Sequence, residues 1–171
     1  MEPVYLRALE SDDLERTHKW HNDHRMYNIM GGTFHYVSRA TEEEWLRKKQ
    51  AYSPQEVSLA ICLTETSQHI GNIYLRAIDW IARHAELQIW IGEPDQRSRG
   101  YGYAAISLFL KYAFDTLGLR RIYLYVLEGN PSIRLYEKCG FIVEGKLRKH
   151  AFIGGEFKDF FIMGLCVDDN A

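Results

Sequence analysis

Cysteine is scarce in this sequence, with three residues among 171. Cys62, Cys139 and Cys166 lie far apart along the chain, and each has apolar neighbours. A disulfide framework or a zinc site needs several cysteines at short, regular spacings, which this sequence lacks. We therefore expect three free thiols, because an unpaired cysteine packs as a small apolar side chain.

Long apolar runs and a large net charge are also missing. No stretch approaches the roughly 20 apolar residues that cross a bilayer, and residues 1–7 do not have the pattern of a signal peptide. The formal net charge of −2 argues against broad nucleic-acid binding. We expect a cytoplasmic protein that binds neither membrane nor nucleic acid directly. Its length suggests one domain over residues 1–171, with a core at about residues 4–167.

Strand-like and helix-like apolar patterns alternate along the chain, without internal repeats. Ser11 is the predicted start of one helix, and the Thr41-x-x-Glu44 capping box is the predicted start of another. A further helical pattern ends at Gly118, a residue type suited to ending a helix. Strands are predicted at residues 4–7, 57–63, 70–78, 85–91, 122–126 and 157–166, with a Gly154-Gly155 turn before the last.

One strand–helix–strand unit can be found, between residues 85 and 126. A helix that connects two strands in this way predicts that the strands are parallel neighbours. A shorter helix is predicted to begin at Asn130-Pro131 and to end at Gly140. The predicted fold class is α/β (α+β), with a mixed, mostly antiparallel twisted sheet flanked by helices on both faces.

The most informative segment is the glycine loop at residues 97–105, RSRGYGYAA, which follows a strand and opens a helix. Gly100 and Gly102 have no Cβ, so a ligand can approach the backbone closely. Free N–H groups and the dipole at the start of a helix favour a negative charge. Arg97 and Arg99 add charged donors. The loop therefore predicts a phosphate-binding site.

The same loop also matches a dinucleotide-binding fingerprint, Gly100-x-Gly102-x-x-Ala105, with an acidic residue, Glu128, after the next strand. In a dinucleotide-binding fold, the strand leads almost directly into the first glycine. Here residues 92–99 intervene between Ile91 and Gly100. We therefore rank the dinucleotide interpretation second.

Three motifs in sequence order resemble the GNAT acyltransferases: residues 86–91 (ELQIWI), the glycine loop Arg97-x-x-Gly100-x-Gly102, and residues 130–141 (NPSIRLYEKCGF). The resemblance spans nearly the whole chain. The last motif is similar to the branch that contains spermidine acetyltransferases and ribosomal-protein N-terminal acetyltransferases. The resemblance implies an N-acetyltransferase that moves an acetyl group from acetyl-coenzyme A to a primary amine by direct attack.

The resemblance also implies where acetyl-coenzyme A binds. Its pyrophosphate is expected on the amides of residues 97–102, and its pantetheine arm beside the strand at residues 86–91. Asn130 is expected both to cap the helix that follows it and to contact the coenzyme. The implied cosubstrate-binding residues are Ile89, Trp90, Ile91, Arg97, Ser98, Arg99, Gly100, Tyr101, Gly102, Asn130, Ser132 and Lys138.

Tyr136 and Glu86 are the predicted catalytic residues. An amine that attacks a thioester must lose a proton, and the departing thiolate benefits from a nearby acid. The resemblance assigns the acid to Tyr136, whose alternative role is packing beside Leu135 and Phe141. It assigns the base to Glu86. The alternatives are a surface glutamate, a base that acts through water, and an amine that arrives already neutral.

Histidines near the N-terminus raise the question of a metal site, because His18 and His21 lie three residues apart. No carboxylate or cysteine completes a set at metal-site spacing, so we predict no metal. By resemblance, this region forms the acceptor side of the active site. The implied substrate-binding residues are Trp20, Asn22, Asp23 and Tyr27.

The acceptor is left open among a polyamine, a protein N-terminus, and an amino sugar or antibiotic. Acidic residues near the N-terminus suit a polyamine but also fit an ordinary first helical turn. A module that senses acyl-coenzyme A without turnover is an alternative function. The expected partner is a small-molecule amine or a protein N-terminus. The aromatic residues Phe157, Phe160 and Phe161 offer a surface that a second copy of the chain would cover in a homodimer.

Overall fold

Seven strands form one sheet in the computed structural model, which describes residues 2–167. The sheet order is β1-β2-β3-β4-β5-β7-β6, and each neighbouring pair is antiparallel except β4 and β5. The predicted mixed, mostly antiparallel sheet is confirmed. The strands are β1 (Val4–Ala8), β2 (Val57–Leu63), β3 (His69–Asp79), β4 (His84–Ile91), β5 (Arg121–Leu127), β6 (Ile142–Ile153) and β7 (Glu156–Cys166).

The described residues form five α-helices, joined by short 3₁₀ and π-helical turns. None of the helices within residues 2–167 is both long enough and apolar enough to cross a bilayer. The helices are α1 (Leu14–His21), α2 (His24–Met30), α3 (Arg39–Gln50), α4 (Tyr101–Lys111) and α5 (Ser132–Lys138).

Helices cover both faces of the sheet, because alternate residues of β2 enter two different cores. Ile61 is fully buried in the main core together with Phe109 of α4. Ala60 and Cys62 face the other way and pack in a second core with Leu46 of α3. Alternation of side chains along a strand produces this division. The prediction of helices on both faces is thus confirmed.

The predicted strand–helix–strand unit is β4, α4 and β5, and its strands are parallel. Their pairing runs only from His84 with Arg121 to Glu86 with Tyr123. Beyond these residues, β4 continues to pair with β3 as far as Ile91, and β5 continues to pair with β7. The two parallel strands therefore separate toward their carboxyl ends and leave a gap within the sheet.

The start of α3 differs from the prediction. The helix begins at Arg39, and the Ser38 hydroxyl oxygen accepts a hydrogen bond of 3.2 Å from the backbone N–H of Thr41. The predicted Thr41-x-x-Glu44 capping box is therefore wrong. Ser38 caps the helix because its backbone is extended and its side chain reaches the first-turn amides.

The aromatic surface predicted on the last strand is only partly present. Phe157 is 63% exposed, near the tip of the β6–β7 hairpin. Phe160 is buried against the end of α2, and Phe161 packs on the main core. Helix α2 was not among the predicted elements, so the burial of Phe160 was not expected. The three phenylalanines do not form one surface for a second copy of the chain.

A buried network of hydrogen bonds connects β1, the turn before α1, β3 and β4. Arg7 donates two hydrogen bonds of 2.8 Å to the carboxylate of Asp13, and His69 Nδ1 lies 2.9 Å from the same carboxylate. With the Asn72 amide oriented to satisfy its neighbours, its nitrogen donates to His69 Nε2 and its oxygen accepts from the Trp90 indole. Asp13 and Asn72 are almost completely buried. The network therefore holds the indole of Trp90 in place through Asn72.

Replacing Asp13 by Asn should destabilise the fold by about 3 kcal/mol, because removing one partner of a buried pair leaves the other uncompensated. Burial alone would raise the pKa of Asp13, but hydrogen bonds from Arg7 and His69 outweigh it and hold the pKa well below its usual value. The stabilisation is therefore present above about pH 4 and is lost as the pH falls. Urea unfolding at pH 7 and at pH 3 measures both effects.

The matched control is Asp115→Asn, which removes an exposed carboxylate paired with Lys111 on the protein surface. This change should alter the free energy of unfolding by less than about 1 kcal/mol. Equal losses of stability in the two variants would contradict a structural role for the buried network.

Candidate active site

A cavity of about 680 Å³ lies in the gap between β4 and β5. Leu87 to Ile91 line it from β4, and Tyr125 and Val126 line it from β5. These residues come directly after the last paired positions, Glu86 and Tyr123. Because this part of β4 has no ladder to β5 within residues 2–167, the backbone groups that point away from β3 are available to a ligand that enters the gap.

The start of α4 forms one end of the cavity. Gly100 has a φ of +84° and stands just before the helix, where its carbonyl accepts from the N–H of Ala104 at 3.1 Å. The first-turn N–H groups of Tyr101, Gly102 and Tyr103 precede that bond and have no acceptor within the helix. A Cβ on Gly100 would meet nothing within 4 Å, so the space beside this turn is open. Together with the helix dipole, these donors suit a phosphate.

Arg97 lines the cavity, but its side chain is bound to the end of β4. Its Nε donates to the carbonyl of Ile91 at 2.9 Å, and Nη2 donates to the carbonyl of Gly92 at 3.2 Å. These bonds hold the glycine loop against the strand. The guanidinium therefore contributes its charge to this end of the cavity while it fixes the loop.

Asn130 connects α5 to α2 at the opposite wall. Its side-chain oxygen accepts a hydrogen bond of 2.8 Å from the N–H of Ser132, and its amide donates to the carbonyl of Ile29 at 2.6 Å. The first bond is the capping contact predicted for Asn130. The second bond ties the end of α2 to the β5–α5 turn, so this wall is built from segments 101 residues apart in sequence.

Tyr136 of α5 lines the cavity and packs edge-to-face on Phe141, with ring centroids 6.1 Å apart. Its hydroxyl makes no hydrogen bond to another residue in the described part of the chain. Burial raises the pKa of Tyr136 to about 12. Since this is above the value of about 8.5 for a thiol, the phenol stays protonated and is suited to donating a hydrogen bond to a departing sulfur.

Glu86 lines the cavity at the point where β4 and β5 separate. One of its carboxylate oxygens accepts a hydrogen bond of 2.9 Å from the Gln88 side chain. None of the ion pairs found among residues 2–167 includes Glu86. Glu86 carries a negative charge, and the Arg97 guanidinium at the other end carries a positive one. The two ends of the cavity therefore have opposite polarity.

Nine of the twelve predicted cosubstrate-binding residues line the cavity, and three do not. Arg99 is exposed, and Lys138 holds its ammonium 4.4 Å from the ring centroid of Tyr103, which does line the cavity. For all twelve residues, contact with coenzyme A stays a prediction. The nine lining residues are Ile89, Trp90, Ile91, Arg97, Ser98, Gly100, Gly102, Asn130 and Ser132.

On the predicted acceptor side, Tyr27 lines the cavity, but the other three residues lie elsewhere. Trp20 is 1% exposed and lies so close to Gly92 that a Cβ there would clash with its indole. Asn22 hydrogen-bonds both the N–H and the carbonyl of Val37, and Asp23 caps α2. The side chains of Asn22 and Asp23 therefore stabilise the turn between α1 and α2.

Sequence reasoning missed helix α2, which supplies Met26, Ile29 and Met30 to the cavity. The signals were present in Asp23, whose side chain caps the helix, and in Gly31, whose φ of +78° ends it. Asp23 was expected to bind substrate, and its side chain instead caps α2. Tyr103, Tyr125, Leu135 and Phe160 also line the cavity and were not predicted.

The cysteines and histidines form no alternative site. Among the described residues, Cys62, Cys139 and Cys166 are not joined by disulfide bonds. Across residues 2–167, no group of three or more histidine, cysteine or carboxylate side chains lies close enough to hold a metal ion.

Comparison with known proteins identifies relatives along nearly the whole chain. A family model described as an acetyltransferase (GNAT) domain matches residues 4–142. The spermidine N(1)-acetyltransferase of Vibrio cholerae serotype O1 is 37% identical over 158 residues, which is 90% of this chain and 87% of that protein. The spermidine N(1)-acetyltransferase of Escherichia coli K12 is 32% identical over 159 residues, which is 91% of this chain and 82% of that protein.

Solved structures with the same fold include the Vibrio cholerae spermidine N-acetyltransferase in complex with CoA and spermine. Its TM-score is 0.90 at 31% identity, and the match covers 99% of this chain and 98% of that one. A dodecameric structure of the Vibrio cholerae enzyme in an intermediate state matches with a TM-score of 0.83 at 32% identity. That match covers 99% of this chain and 97% of the other. The predicted resemblance to the spermidine-acetylating branch is thus confirmed.

Replacing Gly100 by Ala should weaken coenzyme A binding several-fold. The added Cβ meets no atom, but a left-handed backbone costs a non-glycine residue about 1–2 kcal/mol, so the loop shifts away from the geometry that presents its amides. Isothermal titration with coenzyme A measures the change in Kd. Gly154→Ala is the matched control, because Gly154 also has a positive φ and open surroundings but lies at the β6–β7 hairpin tip. Unchanged affinity in Gly100→Ala would contradict a phosphate site at this loop.

Proposed function

The chain belongs to the GNAT acetyltransferase family and is an acetyl-coenzyme A-dependent N-acetyltransferase, and we propose that the primary amine it acetylates belongs to a polyamine. The observation that carries this proposal is the polarity of the cavity. Arg97 and the amides before α4 stand at one end, which suits the phosphates of the donor. The carboxylate of Glu86, which has no ion-pair partner within residues 2–167, stands at the other end and suits an alkylammonium ion.

The relatives support the same acceptor class. The Vibrio cholerae and Escherichia coli enzymes are named for acetylation of spermidine at N1, and the match covers at least 90% of this chain in each case. Two aromatic side chains of β5 and β7 that line the cavity, Tyr125 and Phe160, add surfaces on which a cation and its methylene chain can lie. A protein N-terminus would instead need a groove that binds extended backbone.

The proposed chemistry uses two side chains of the cavity wall. Bound acetyl-coenzyme A supplies a thioester whose carbonyl carbon an amine attacks, so that a C–N bond forms and the C–S bond breaks. Glu86 draws the acceptor ammonium into the cavity and takes its proton, directly or through a water molecule. Tyr136 donates a hydrogen bond from its protonated phenol toward the departing sulfur.

Residues that do not react hold these groups in place. Gln88 orients the Glu86 carboxylate through its side-chain amide. Phe141 supports the ring of Tyr136. Trp90, fixed by the buried Asn72 network, forms a rigid wall beside Ile89. Such support matters because small displacements of reacting groups cause large losses of rate.

The acceptor class is tested by release of free thiol from acetyl-coenzyme A with a panel of amines. Polyamines such as spermidine, spermine and putrescine should give the highest kcat/KM, above amino sugars, aminoglycosides and peptides with free N-termini. Preference for a peptide or an amino sugar would overturn the polyamine proposal. Tight donor binding without release for any amine would favour the sensing module.

Replacing Tyr136 by Phe should lower kcat by about 10²-fold, the usual minimum contribution of a positioned acid. The KM for acetyl-coenzyme A should change little, because Phe keeps the ring and its packing on Phe141. Since burial raises the pKa of Tyr136 to about 12, the wild-type rate should not fall between pH 8 and about pH 10 through ionisation of this residue.

The control is Tyr112→Phe, which removes a hydroxyl from a ring stacked on Phe109 outside the cavity. Its kcat should match that of the wild type. A Tyr136→Phe enzyme with unchanged kcat would show that Tyr136 is a packing residue only.

A further inference from the structure

A second cavity, of about 560 Å³, lies between α3 and the face of the sheet that carries Gln88 and Trp90. This volume is within the range of about 300–1,000 Å³ that small-molecule sites occupy. Part of its wall is shared with the acetyl-transfer cavity, namely Met30, Gln88, Ile89 and Trp90. The rest of its wall comes from α1, α3, the segment after α3, and β3, and it has no role in the acetyl transfer described above.

The aromatic floor of the second cavity is a closed ring of contacts among His21, Trp45, Trp90, Tyr74 and Lys49. The His21 ring centroid lies 4.6 Å from that of Trp45 and 4.8 Å from that of Trp90. Trp90 contacts Tyr74, with ring centroids 6.3 Å apart. Lys49 closes the ring, because its ammonium lies 5.3 Å from the ring centroid of Tyr74 and 6.0 Å from that of Trp45. The floor therefore offers flat apolar surfaces, and the protein's own lysine already occupies its cation–π position.

A buried carboxylate holds His21 in this floor. The Glu42 carboxylate accepts a hydrogen bond of 2.7 Å from His21 Nδ1, and Glu42 is completely buried. Nε2 makes no hydrogen bond to another residue within residues 2–167. His21 is 8% exposed and lines the second cavity, so a protonated ring has its Nε2–H left to donate to a ligand there.

The one carboxylate in the described wall of the second cavity, Glu56, is already bound by the protein. Lys49 pairs with Glu56, which also accepts a hydrogen bond of 2.7 Å from the Ser58 hydroxyl. Burial alone would raise the pKa of Glu56, but hydrogen bonds from Lys49 and Ser58 hold it below its usual value. Lys48 also lines the cavity, and its partner Glu44 forms only an exposed pair along α3, which is weak.

Arg76 is the cation of this wall that has no carboxylate partner. It is exposed and forms no ion pair within residues 2–167. Glu86 lies directly opposite in the β3–β4 register, but the Gln88 side chain bonds to both residues. Gln88 accepts from Arg76 at 3.1 Å and donates to Glu86 at 2.9 Å. Since a guanidinium has five N–H donors, Arg76 keeps most of them for a ligand in the second cavity.

We propose that the second cavity binds a small organic anion, an aromatic carboxylate whose ring lies on the aromatic floor and whose carboxylate pairs with Arg76. The inference does not depend on which amine the enzyme acetylates. A planar ring can pack against Trp45 and Trp90. A guanidinium binds a carboxylate through two parallel hydrogen bonds, which gives the pair direction as well as charge.

The charges of the second cavity favour this occupant over others. An aromatic cage often binds an ammonium ion, but here Lys49 fills that position, and Arg76 and Lys48 would repel a second cation. A neutral ring would leave the Arg76 charge without a partner. Inorganic phosphate would use the cations but would leave the apolar floor uncovered. An aromatic carboxylate uses both the floor and the unpaired guanidinium.

Sodium benzoate is the probe that tests this site, and benzamide is its neutral counterpart with the same ring. Both are titrated into protein saturated with coenzyme A, so that the phosphates of the donor already occupy their site. Tryptophan fluorescence reports binding, because Trp45 and Trp90 belong to the floor. Benzoate should bind about 5-fold more tightly than benzamide, the effect of one exposed ion pair. Added NaCl should reduce this difference, since salt screens such a pair.

Arg76→Gln should remove the preference for benzoate, so that benzoate and benzamide bind with similar Kd. Because Arg76 is exposed, the variant should fold, and circular dichroism checks this. The matched control is Arg47→Gln, which removes the same charge from an exposed position of α3 outside the cavity. Its Kd for benzoate should stay within about a factor of two of the wild-type value, because solvent and salt screen a distant charge.

Benzoate that does not bind the wild type, or that binds no better than benzamide, would overturn the proposal. Equal losses in Arg76→Gln and Arg47→Gln would also overturn it, because the effect would then come from net charge alone. Tighter binding of benzyltrimethylammonium than of benzoate would show a cation site instead. None of these measurements uses an amine acceptor, so their outcome is separate from that of the polyamine proposal.

Discussion

The separation of β4 from β5 after three residue pairs is the constraint on which the active site depends. Parallel strands that remained paired would satisfy their backbone groups within the sheet and leave no gap for a ligand. β4 stays with β3 instead, where the strands are so close that a Cβ on Gly71 would lie 2.2 Å from the carbonyl oxygen of Trp90. The crossover helix α4 then starts at the open end, so the glycine loop, its free amides and the gap meet at one edge of the sheet.

Charge divides this gap into two halves with different chemistry. Arg97 and the start of α4 provide the positive end, while Glu86 stands at the fork of the strands and provides the negative end. Tyr136 of α5 lines the same cavity and keeps its proton because burial raises its pKa to about 12. An N-acetyltransferase needs this arrangement, since its donor is an anion, its acceptor is a cation, and its leaving group is a thiolate.

Much of the donor side of this site was predictable, and most of the acceptor side was not. The donor side is built from contiguous segments, so Gly100, Gly102 and Asn130 could be placed from local patterns together with the family resemblance. The acceptor side combines α2 with β5 and β7, which are far apart in sequence. Trp20 was expected to touch substrate but is packed under Gly92, because only the folded chain shows which side of α1 faces the sheet. Asn22 and Asp23 have local polar side chains that are used to build the turn between α1 and α2.

The sequence by itself determined the order of the strands and of the described helices other than α2, the single parallel crossover and the glycine loop before α4, because each depends on hydrophobic period, turn chemistry or helix capping within a short window. The tertiary structure alone decided which side chains of α2, β5 and β7 share the wall of the cavity. Tyr125 and Phe160 look like ordinary strand aromatics until the sheet order puts β7 beside β5 and α2 over Phe160. Side-chain alternation assigns a residue to a face of a strand, but contact across strands depends on register and sheet order, which act over distances that no local pattern records.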